Sequence, residues 1–185
     1  CLSRLSMFAG YITINISSPN TEGLRDFHDQ GELKKLLTGL NKIKNEKKIE
    51  CPIAIKISPD IKDDEISKIV ELVSSHNIKG IVVSNTTDSN RNNLSDTKKN
   101  EIGGLSGQPL KDISTNLIKR FYKETKGKIK IIGVGGVDSG QSAYEKITAG
   151  ANAVQLYTGM VYKGPGIVKE IKKDLVSILK KENIK

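Results

Sequence analysis

Asparagines that could bind a planar ring follow two of the apolar runs in this sequence. Asn15 and Asn20 lie in the segment Asn15-Ile16-Ser17-Ser18-Pro19-Asn20-Thr21, and Asn85 begins the segment Asn85-Thr86-Thr87. An asparagine side chain donates and accepts hydrogen bonds at once, which suits a ring that carries both N–H and C=O groups. Each segment by itself is also typical of a turn or a helix cap, so neither is specific alone.

A lysine lies inside one of the apolar runs. Lys56 interrupts Ile53–Ile57, where the neighbouring residues are aliphatic. An ammonium group taken out of water is costly unless an anion accompanies it, and a carboxylate or a reduced flavin would be such an anion. Alternatively, the lysine stem extends along the apolar surface and keeps its charge in water.

Two glycine-rich segments follow apolar runs and precede predicted helices. They are Gly103-Gly104-Leu105-Ser106-Gly107 and Gly133-Val134-Gly135-Gly136. Glycine pairs expose backbone N–H groups and allow a phosphate to approach closely, and a helix N-terminus favours an anion. A glycine pair after a strand is also common as a tight turn.

These segments are separated by a regular alternation of β-branched runs and amphipathic stretches. The predicted strands are Tyr11–Ile16, Ile53–Ile57, Gly80–Ser84, Ile129–Gly133 and Ala153–Leu156. The predicted helices are Glu32–Lys48, Asp63–His76, Ser114–Thr125, Gln141–Ala149 and Ile167–Lys181, and residues 86–104 are predicted as a long polar loop. Five strands, each followed by a helix, indicate an α/β fold with a parallel sheet.

Two architectures fit this alternation, a doubly wound open sheet and part of a (β/α)8 barrel. In both, ligands bind beyond the carboxyl ends of the strands, where the polar segments lie. A complete barrel takes about 250 residues, so residues 1–185 are predicted to form the C-terminal part of one barrel domain and to supply its last five βα units. Because the chain begins with Cys1 and not with Met, we expect a fragment or a processed product.

Composition excludes several classes of function. The formal net charge is +9, but the lysines alternate with acidic residues on helices and aromatic residues make up 4%, so nucleic acid is not an expected partner. The charge suits anionic small molecules or an anionic membrane surface. Cys1 and Cys51 lack the spacing of a metal or disulfide motif, and His28 and His76 are predicted to be surface residues, so no metal is expected.

Four motifs in order resemble those of class 2 dihydroorotate dehydrogenases. They are Asn15-Ile16-Ser17-Ser18-Pro19-Asn20-Thr21-Glu22-Gly23-Leu24-Arg25, Gly103-Gly104-Leu105-Ser106-Gly107-Gln108-Pro109-Leu110, Ile132-Gly133-Val134-Gly135-Gly136-Val137 and Val154-Gln155-Leu156-Tyr157-Thr158. The resemblance runs from Tyr11 to the last helix and implies a (β/α)8 barrel with FMN at its carboxyl-end mouth. It implies Ser18 as catalytic base, Asn15 as a contact of FMN and substrate, Asn20, Asn85 and Thr86 as further substrate contacts, Lys56 and Ser84 as flavin contacts, and Gly107, Gly136, Tyr157 and Thr158 at the FMN phosphate end.

The reaction implied by the resemblance oxidises dihydroorotate to orotate in pyrimidine biosynthesis. Ser18 would remove a proton from C5 while a hydride passes from C6 to FMN, and a quinone would reoxidise the flavin. Class 1 relatives carry cysteine at this position because a thiol ionises more readily, so Ser18 indicates the quinone-linked class. Members of that class are peripheral proteins of the bacterial cytoplasmic membrane face or the mitochondrial inner membrane, and they dock through an N-terminal segment that precedes the part found here.

Three alternatives remain open at this stage. Another FMN barrel, such as a class 1 relative or a dihydropyrimidine dehydrogenase domain, would not be expected to carry Ser18. A sugar-phosphate barrel enzyme would not need the Ser-Ser-Pro-Asn segment. A non-catalytic truncated paralogue would retain only a phosphate or flavin site, which the half-length of the chain favours and the intact set Asn15, Ser18, Asn20, Lys56 and Asn85 disfavours.

Overall fold

The computed structural model describes residues 1–89, 91–92 and 94–183. Its centre is a five-stranded sheet in which all neighbouring strands are parallel. The strands are β1 (Ile12–Asn15), β2 (Ile53–Ile57), β3 (Gly80–Val83), β4 (Lys130–Val134) and β5 (Ala153–Gln155). The helices are α1 (Leu2–Leu5), α2 (Gln30–Glu46), α3 (Asp63–Ser75), α4 (Lys111–Thr125), α5 (Gly140–Thr148), α6 (Thr158–Lys163) and α7 (Ile167–Lys181). The five predicted strands are confirmed to within one residue at each end.

Strand order separates the two predicted architectures. A doubly wound sheet reverses its order at a switch point, whereas a barrel adds each strand beside the last. Here the order is β1-β2-β3-β4-β5 without reversal. A flat sheet would put β1 and β5 about 19 Å apart, yet Gln155 Nε2 donates a hydrogen bond to the Tyr11 hydroxyl at 3.0 Å. The sheet therefore curves as an arc of a (β/α)8 barrel, and the predicted fold class is confirmed.

One face of the sheet packs against the helices. Ile55, Ile81 and Ile131 are partners in register on adjacent strands, and none of their surface is exposed. They share one apolar core with helix residues that include Leu33, Leu37, Ile69, Val73, Ile118 and Phe121. This layer of isoleucines fixes which side of each strand faces the helices.

The opposite face carries the polar residues of the strands. Because side chains alternate along a strand, the neighbours of the isoleucine layer point to the concave side of the arc. Asn15 pairs with Lys56 in register, Lys56 pairs with Val82, and Val82 pairs with Ile132. The sheet register thus places Asn15 and Lys56 side by side on the concave face.

Two predicted helices begin two or three residues earlier than expected, and two short helices, α1 and α6, were not predicted. The Asp29 side chain accepts hydrogen bonds from Gly31 N at 2.8 Å and Glu32 N at 3.2 Å, so α2 begins at Gln30. A short 3-10 turn at Gln108–Leu110 leads directly into α4, which begins at Lys111 and not at Ser114. Helix α6 is a single short element between β5 and α7.

The remaining segments add little regular structure. The predicted loop 86–104 is largely irregular, and its residues Asn90 and Asn93 lie outside the described part of the chain. Of the helices within the described ranges, none has the length and apolarity that crossing a bilayer requires.

A lysine lies fully buried between α4 and α5. Lys146 has no exposed surface, and its Nζ donates hydrogen bonds to Lys111 O at 2.8 Å and Thr115 Oγ1 at 2.7 Å. Burial lowers the pKa of Lys146 to about 8, and nearby Glu145 opposes this only in part. Both of its partners are neutral oxygens, so the ammonium form is hydrogen-bonded but keeps much of its desolvation cost.

We expect Lys146→Met to remove a rise in stability at alkaline pH. The folded-state pKa lies below the unfolded value, so between about pH 8 and 10 the unfolded chain binds more protons and the free energy of unfolding increases with pH. From pH 7.5 to 9.5 the unmodified chain should gain about 2 kcal/mol relative to Lys146→Met, which is compared by urea unfolding at both pH values. Lys119→Met, at an exposed position of α4, should keep the rise. Parallel pH profiles for the unmodified and Lys146→Met proteins would contradict the expectation.

Candidate active site

The loops that follow β3, β4 and β5 enclose a cleft at the carboxyl end of the sheet. Its volume is about 810 Å³, within the range of roughly 300–1,000 Å³ that is usual for small-molecule and cofactor sites. Eight of the predicted site residues line it: Lys56, Ser84, Asn85, Thr86, Gly107, Gly136, Tyr157 and Thr158. The structure thus brings together residues that lie up to 102 positions apart in the sequence, from Lys56 to Thr158.

Two glycines line this cleft at positions where a side chain would have no room. Gly136 has φ +70°, and a Cβ there would lie 2.6 Å from Lys111 Cβ at the start of α4. Gly107 has φ +79°, and its Cβ would lie 3.0 Å from Thr158 Cγ2. Any other residue at Gly136 would strain the backbone and collide with α4. The close approach of the loop after β4 to this helix therefore requires glycine at this position.

Side-chain hydrogen bonds hold the three loops together. Thr158 Oγ1 donates to Ser106 Oγ at 2.9 Å, which ties the start of α6 to the loop after β3. Gln108 Nε2 donates to Asp138 Oδ2, which ties the same loop to the segment after β4. These bonds connect the loops of the cleft wall to one another beyond the strand ends.

Lys56 contributes a cation to the cleft. Its side chain is half-buried on the concave face, and desolvation by burial lowers the pKa of Lys56. In the described part of the chain no hydrogen bond or salt bridge reaches its Nζ. An anionic ligand beside it would raise this pKa and remove the cost of holding the charge there.

Asn15 and Asn85 meet in a hydrogen-bond network at the edge of the cleft. Asn85 Nδ2 donates to Asn15 Oδ1 at 3.2 Å and to Ser17 Oγ at 3.1 Å. Ser17 Oγ donates to Asn15 Oδ1 at 3.1 Å. Sequence reasoning missed Ser17, although its place two residues after Asn15 at a strand end is typical of a side chain that bonds locally.

Ser18 and Asn20 lie on the loop after β1, next to the cleft and not among its lining residues. Ser18 is half-buried, and its Oγ accepts a hydrogen bond from Asn20 N at 3.3 Å. The side chain of Asn20 borders a smaller cavity of about 350 Å³. A Cβ on Gly104 would lie 3.0 Å from Pro19 Cγ and 2.6 Å from Thr86 Cβ, so this loop packs directly against the cleft wall.

Arg25 connects the loop that carries Ser18 to the loops after β2 and β3. Its guanidinium donates to Asp60 Oδ2 at 3.1 Å, in the loop after β2, and to Asp88 Oδ2 at 2.8 Å, in the loop after β3. Asp60 also accepts a hydrogen bond from buried Thr87. The hydrogen bond from Arg25 holds the pKa of the Asp88 carboxyl below its usual range.

His28 supports the same region. It was predicted at the surface, but it is half-buried, and its Nε2 accepts a hydrogen bond from Ser58 N at 3.4 Å. Burial lowers the pKa of His28, which favours the neutral ring that this hydrogen bond requires. The short 3-10 turn Leu24–His28 places both Arg25 and His28 toward the loop after β2.

Fold and cleft together define an α/β-barrel protein whose ligand site lies at the carboxyl ends of the strands. A sequence model of the family described as dihydroorotate dehydrogenase matches residues 1–179. The chain therefore belongs to the dihydroorotate dehydrogenase family, which confirms the resemblance drawn from the four motifs.

Individual relatives agree with this assignment. The chain is 43% identical over 169 residues to a protein of Christiangramia forsetii named "Dihydroorotate dehydrogenase (quinone)", covering 91% of this chain and 49% of the relative. It is 43% identical over 176 residues to an Escherichia coli protein of the same name, covering 92% and 52%. Crystal structures of DHODH from Eimeria tenella, in complex with ferulenol and ligand-free, give TM-scores of 0.92 and 0.93 at 35% identity, covering 98% and 99% of this chain and 53% and 55% of theirs. The chain thus spans about half the length of the curated relatives that it matches.

We expect Arg25→Met to loosen the Ser18 loop. The change leaves Asp60 and Asp88 without their cation and should lower the free energy of unfolding by about 1–3 kcal/mol. Hydrogen exchange of residues 17–29 should become faster, while that of the α4 core stays unchanged.

Arg120→Met is the matched control for this change. Arg120 makes one ion pair, with Asp63, whose side chain is 92% exposed, so its loss should change stability by no more than about 0.5 kcal/mol. If exchange at residues 17–29 were the same in both variants, Arg25 would not be what holds the loop.

Proposed function

We propose that this chain carries the FMN- and substrate-binding part of a quinone-dependent dihydroorotate dehydrogenase. The observation that carries the proposal is the convergence, in and beside one cleft, of Lys56, the Asn15–Asn85 pair, the Ser18 loop and the glycine loop at Gly136. The names of the relatives from Christiangramia forsetii and Escherichia coli support the same activity.

The residues of the cleft suit a flavin mononucleotide. The cation of Lys56 and the hydroxyl of Ser84 would lie at the ring, and Asn15 would contact ring and substrate. The crowded glycines Gly107 and Gly136 would admit a phosphate to backbone N–H groups, with Tyr157 and Thr158 beside them. Bound FMN would supply the acceptor for a hydride. Lys56 would stabilise the negative charge that develops on the ring, because it has no competing anion among the described residues.

The substrate would be held by amide and hydroxyl groups. Asn15, Asn20, Asn85 and Thr86 would bind the dihydroorotate ring, whose edge alternates N–H and C=O groups. Thr86 N donates to Asn85 Oδ1 at 2.8 Å, so the adjacent backbone orients the Asn85 amide. Asn20 lies on the same loop as Ser18 and borders the smaller cavity beside the cleft, so it would approach the ring from that side.

Ser18 would act as the catalytic base. Its Oγ would take the proton from C5 while the hydrogen on C6 leaves with its bonding electrons as a hydride. The electrons of the broken C5–H bond would then form the C5–C6 double bond of orotate. A serine hydroxyl can accept this proton only if its own proton passes to water, and a hydrogen bond to Oγ favours the negatively charged form. Asn20 N donates such a bond at 3.3 Å.

The electron acceptor and location follow from the subclass. Serine at position 18 and the names of the relatives support a quinone as final acceptor. We infer peripheral association with the cytoplasmic face of a bacterial membrane, or with the mitochondrial inner membrane, through a segment upstream of these residues. The net charge of +9 suits an anionic membrane surface.

The first test is the visible spectrum of the purified chain, followed by anaerobic addition of dihydroorotate. We expect a flavin band that bleaches, either in this chain or in a version extended upstream to the length of its relatives. Flavin that binds in both versions and bleaches in neither would favour a non-catalytic flavin-binding paralogue. Absence of flavin from both would end the dehydrogenase proposal.

Ser18→Ala should slow bleaching by a factor of about 10²–10⁴, the usual contribution of a general base. Flavin content should stay at the unmodified level, because Ser18 is not among the residues that line the cleft. Stopped-flow absorbance measures the rate, and Ser67→Ala, at an exposed position of α3, serves as control. A Ser18→Ala rate within threefold of the control would remove Ser18 from its role.

A further inference from the structure

The side chain next to the proposed base is the most buried part of the ring-binding network. Ser17 has no exposed surface, whereas the next residue, Ser18, is half-buried on the loop after β1. The backbone N and the Oγ of Ser17 both donate to Asn15 Oδ1, at 3.3 Å and 3.1 Å. A polar side chain that is buried in this way destabilises the fold unless its hydrogen bonds are made.

The same hydroxyl accepts a bond from the loop after β3. Asn85 Nδ2 donates to Ser17 Oγ at 3.1 Å and to Asn15 Oδ1 at 3.2 Å. Asn85 Oδ1 in turn accepts from Thr86 N at 2.8 Å. Ser17 therefore links two asparagines that lie 70 positions apart in the sequence.

This arrangement fixes the direction in which each amide points. Asn15 Oδ1 receives three donors, which fills its acceptor capacity, so Asn15 can offer a ligand only the N–H groups of Nδ2. Both N–H groups of Asn85 are used, so Asn85 can offer only the remaining lone pair of Oδ1. Turning Asn15 over would set its NH2 group against the donors Ser17 N and Asn85 Nδ2. Turning Asn85 over would set its NH2 group against Thr86 N and its Oδ1 against Asn15 Oδ1.

We propose that Ser17 is a positioning residue that, together with Thr86 N, holds the hydrogen-bond polarity of the ring-binding site. With Ser17 in place, Asn15 is a donor and Asn85 an acceptor, so the pair selects a ring with a C=O group beside an N–H group. Cyclic imides and ureides, the class to which dihydroorotate belongs, have this edge. The inference rests on the proposed function and deepens it, because it states which atoms of the ring each asparagine binds.

The polarity also predicts which ligands are rejected. A buried site that is built to bond an N–H or a C=O group discriminates strongly against an analogue that lacks it, because its own polar group is then left unpaired. N-methylation of the ring nitrogen that faces Asn85 should therefore weaken binding more than an equally large substituent elsewhere on the ring.

Ser17→Ala is the first test, in the protein form that bleaches with dihydroorotate. Loss of the hydroxyl removes one donor to Asn15 Oδ1 and one acceptor of Asn85 Nδ2, so the pair is held less firmly, and we expect the Kd of orotate and the KM of dihydroorotate to rise about tenfold. The flavin content and the maximal bleaching rate should stay within twofold of the unmodified protein, because among the described residues the Ser17 side chain bonds Asn15 and Asn85 and neither the glycine loop nor Lys56. Ser67→Ala again serves as control. A general loss of structure would lower flavin content and maximal rate as well, so the split between KM and kcat identifies positioning.

A second measurement needs no variant at position 17. In the unmodified ¹⁵N-labelled protein, orotate should shift the side-chain NH2 resonances of Asn15 and leave those of Asn85 nearly unchanged. Asn15→Asp and Asn85→Asp, which each remove one NH2 pair, assign the signals. Shifts confined to the Asn85 pair would overturn the proposal.

The outcomes separate the two proposals. If the unmodified protein neither binds orotate nor bleaches, the proposed function fails, and the role of Ser17 fails with it. If it does both, and Ser17→Ala keeps the Kd of orotate within twofold, the role of Ser17 fails while the proposed function stands.

Discussion

The parallel hydrogen-bonded register of the five strands is the constraint on which the candidate site depends. It aligns Asn15 with Lys56 and Lys56 with Val82, and it aligns Ile55, Ile81 and Ile131 on the opposite face. Since side chains alternate, a slip of one residue would turn Lys56 into the helix-packed core and bring an isoleucine into the cleft. The apolar layer against the helices therefore stabilises the sheet and, by the same contacts, selects the residues that face a ligand.

Beyond the strand ends, hydrogen bonds between side chains replace the sheet as the organising force. Arg25 ties the loop after β1 to Asp60 and Asp88 in the next two loops. Thr158 and Gln108 brace the loops after β3, β4 and β5. The first group holds the side of the cleft that would receive the substrate ring, and the second group holds the side with the crowded glycines. Both groups involve the loop after β3, where backbone hydrogen bonds pair Thr87 with Leu105 and so join the two sides of the site.

Two buried or half-buried lysines show how context gives one residue type different roles. Burial lowers the pKa of both Lys146 and Lys56. Lys146 donates to two neutral oxygens between α4 and α5, so its polar hydrogens are paired within the fold although burial still lowers its pKa. Lys56 faces an open cleft without such partners among the described residues, so an anionic ligand is what would complete its environment. The contrast supports a structural role for the first lysine and a ligand-binding role for the second.

The strands and most helix boundaries could be predicted from the sequence alone, because the apolar residues recur with periods of two and of 3.6 residues. The family could be predicted as well, because the motif Asn15–Arg25 is recognised without knowledge of the fold. Strand order was not readable, and only the tertiary structure decided between an open sheet and a barrel arc. The same holds for Ser17, Arg25 and half-buried His28, whose partners lie between 30 and 68 positions away, as in the pairs Ser17–Asn85, Arg25–Asp88 and His28–Ser58. Helix α6 was missed because six residues are too few to establish a period. The physical reason is common to all of these: propensity and periodicity are local, whereas the bonds that fix loops and orient amides form only after the strands have aligned.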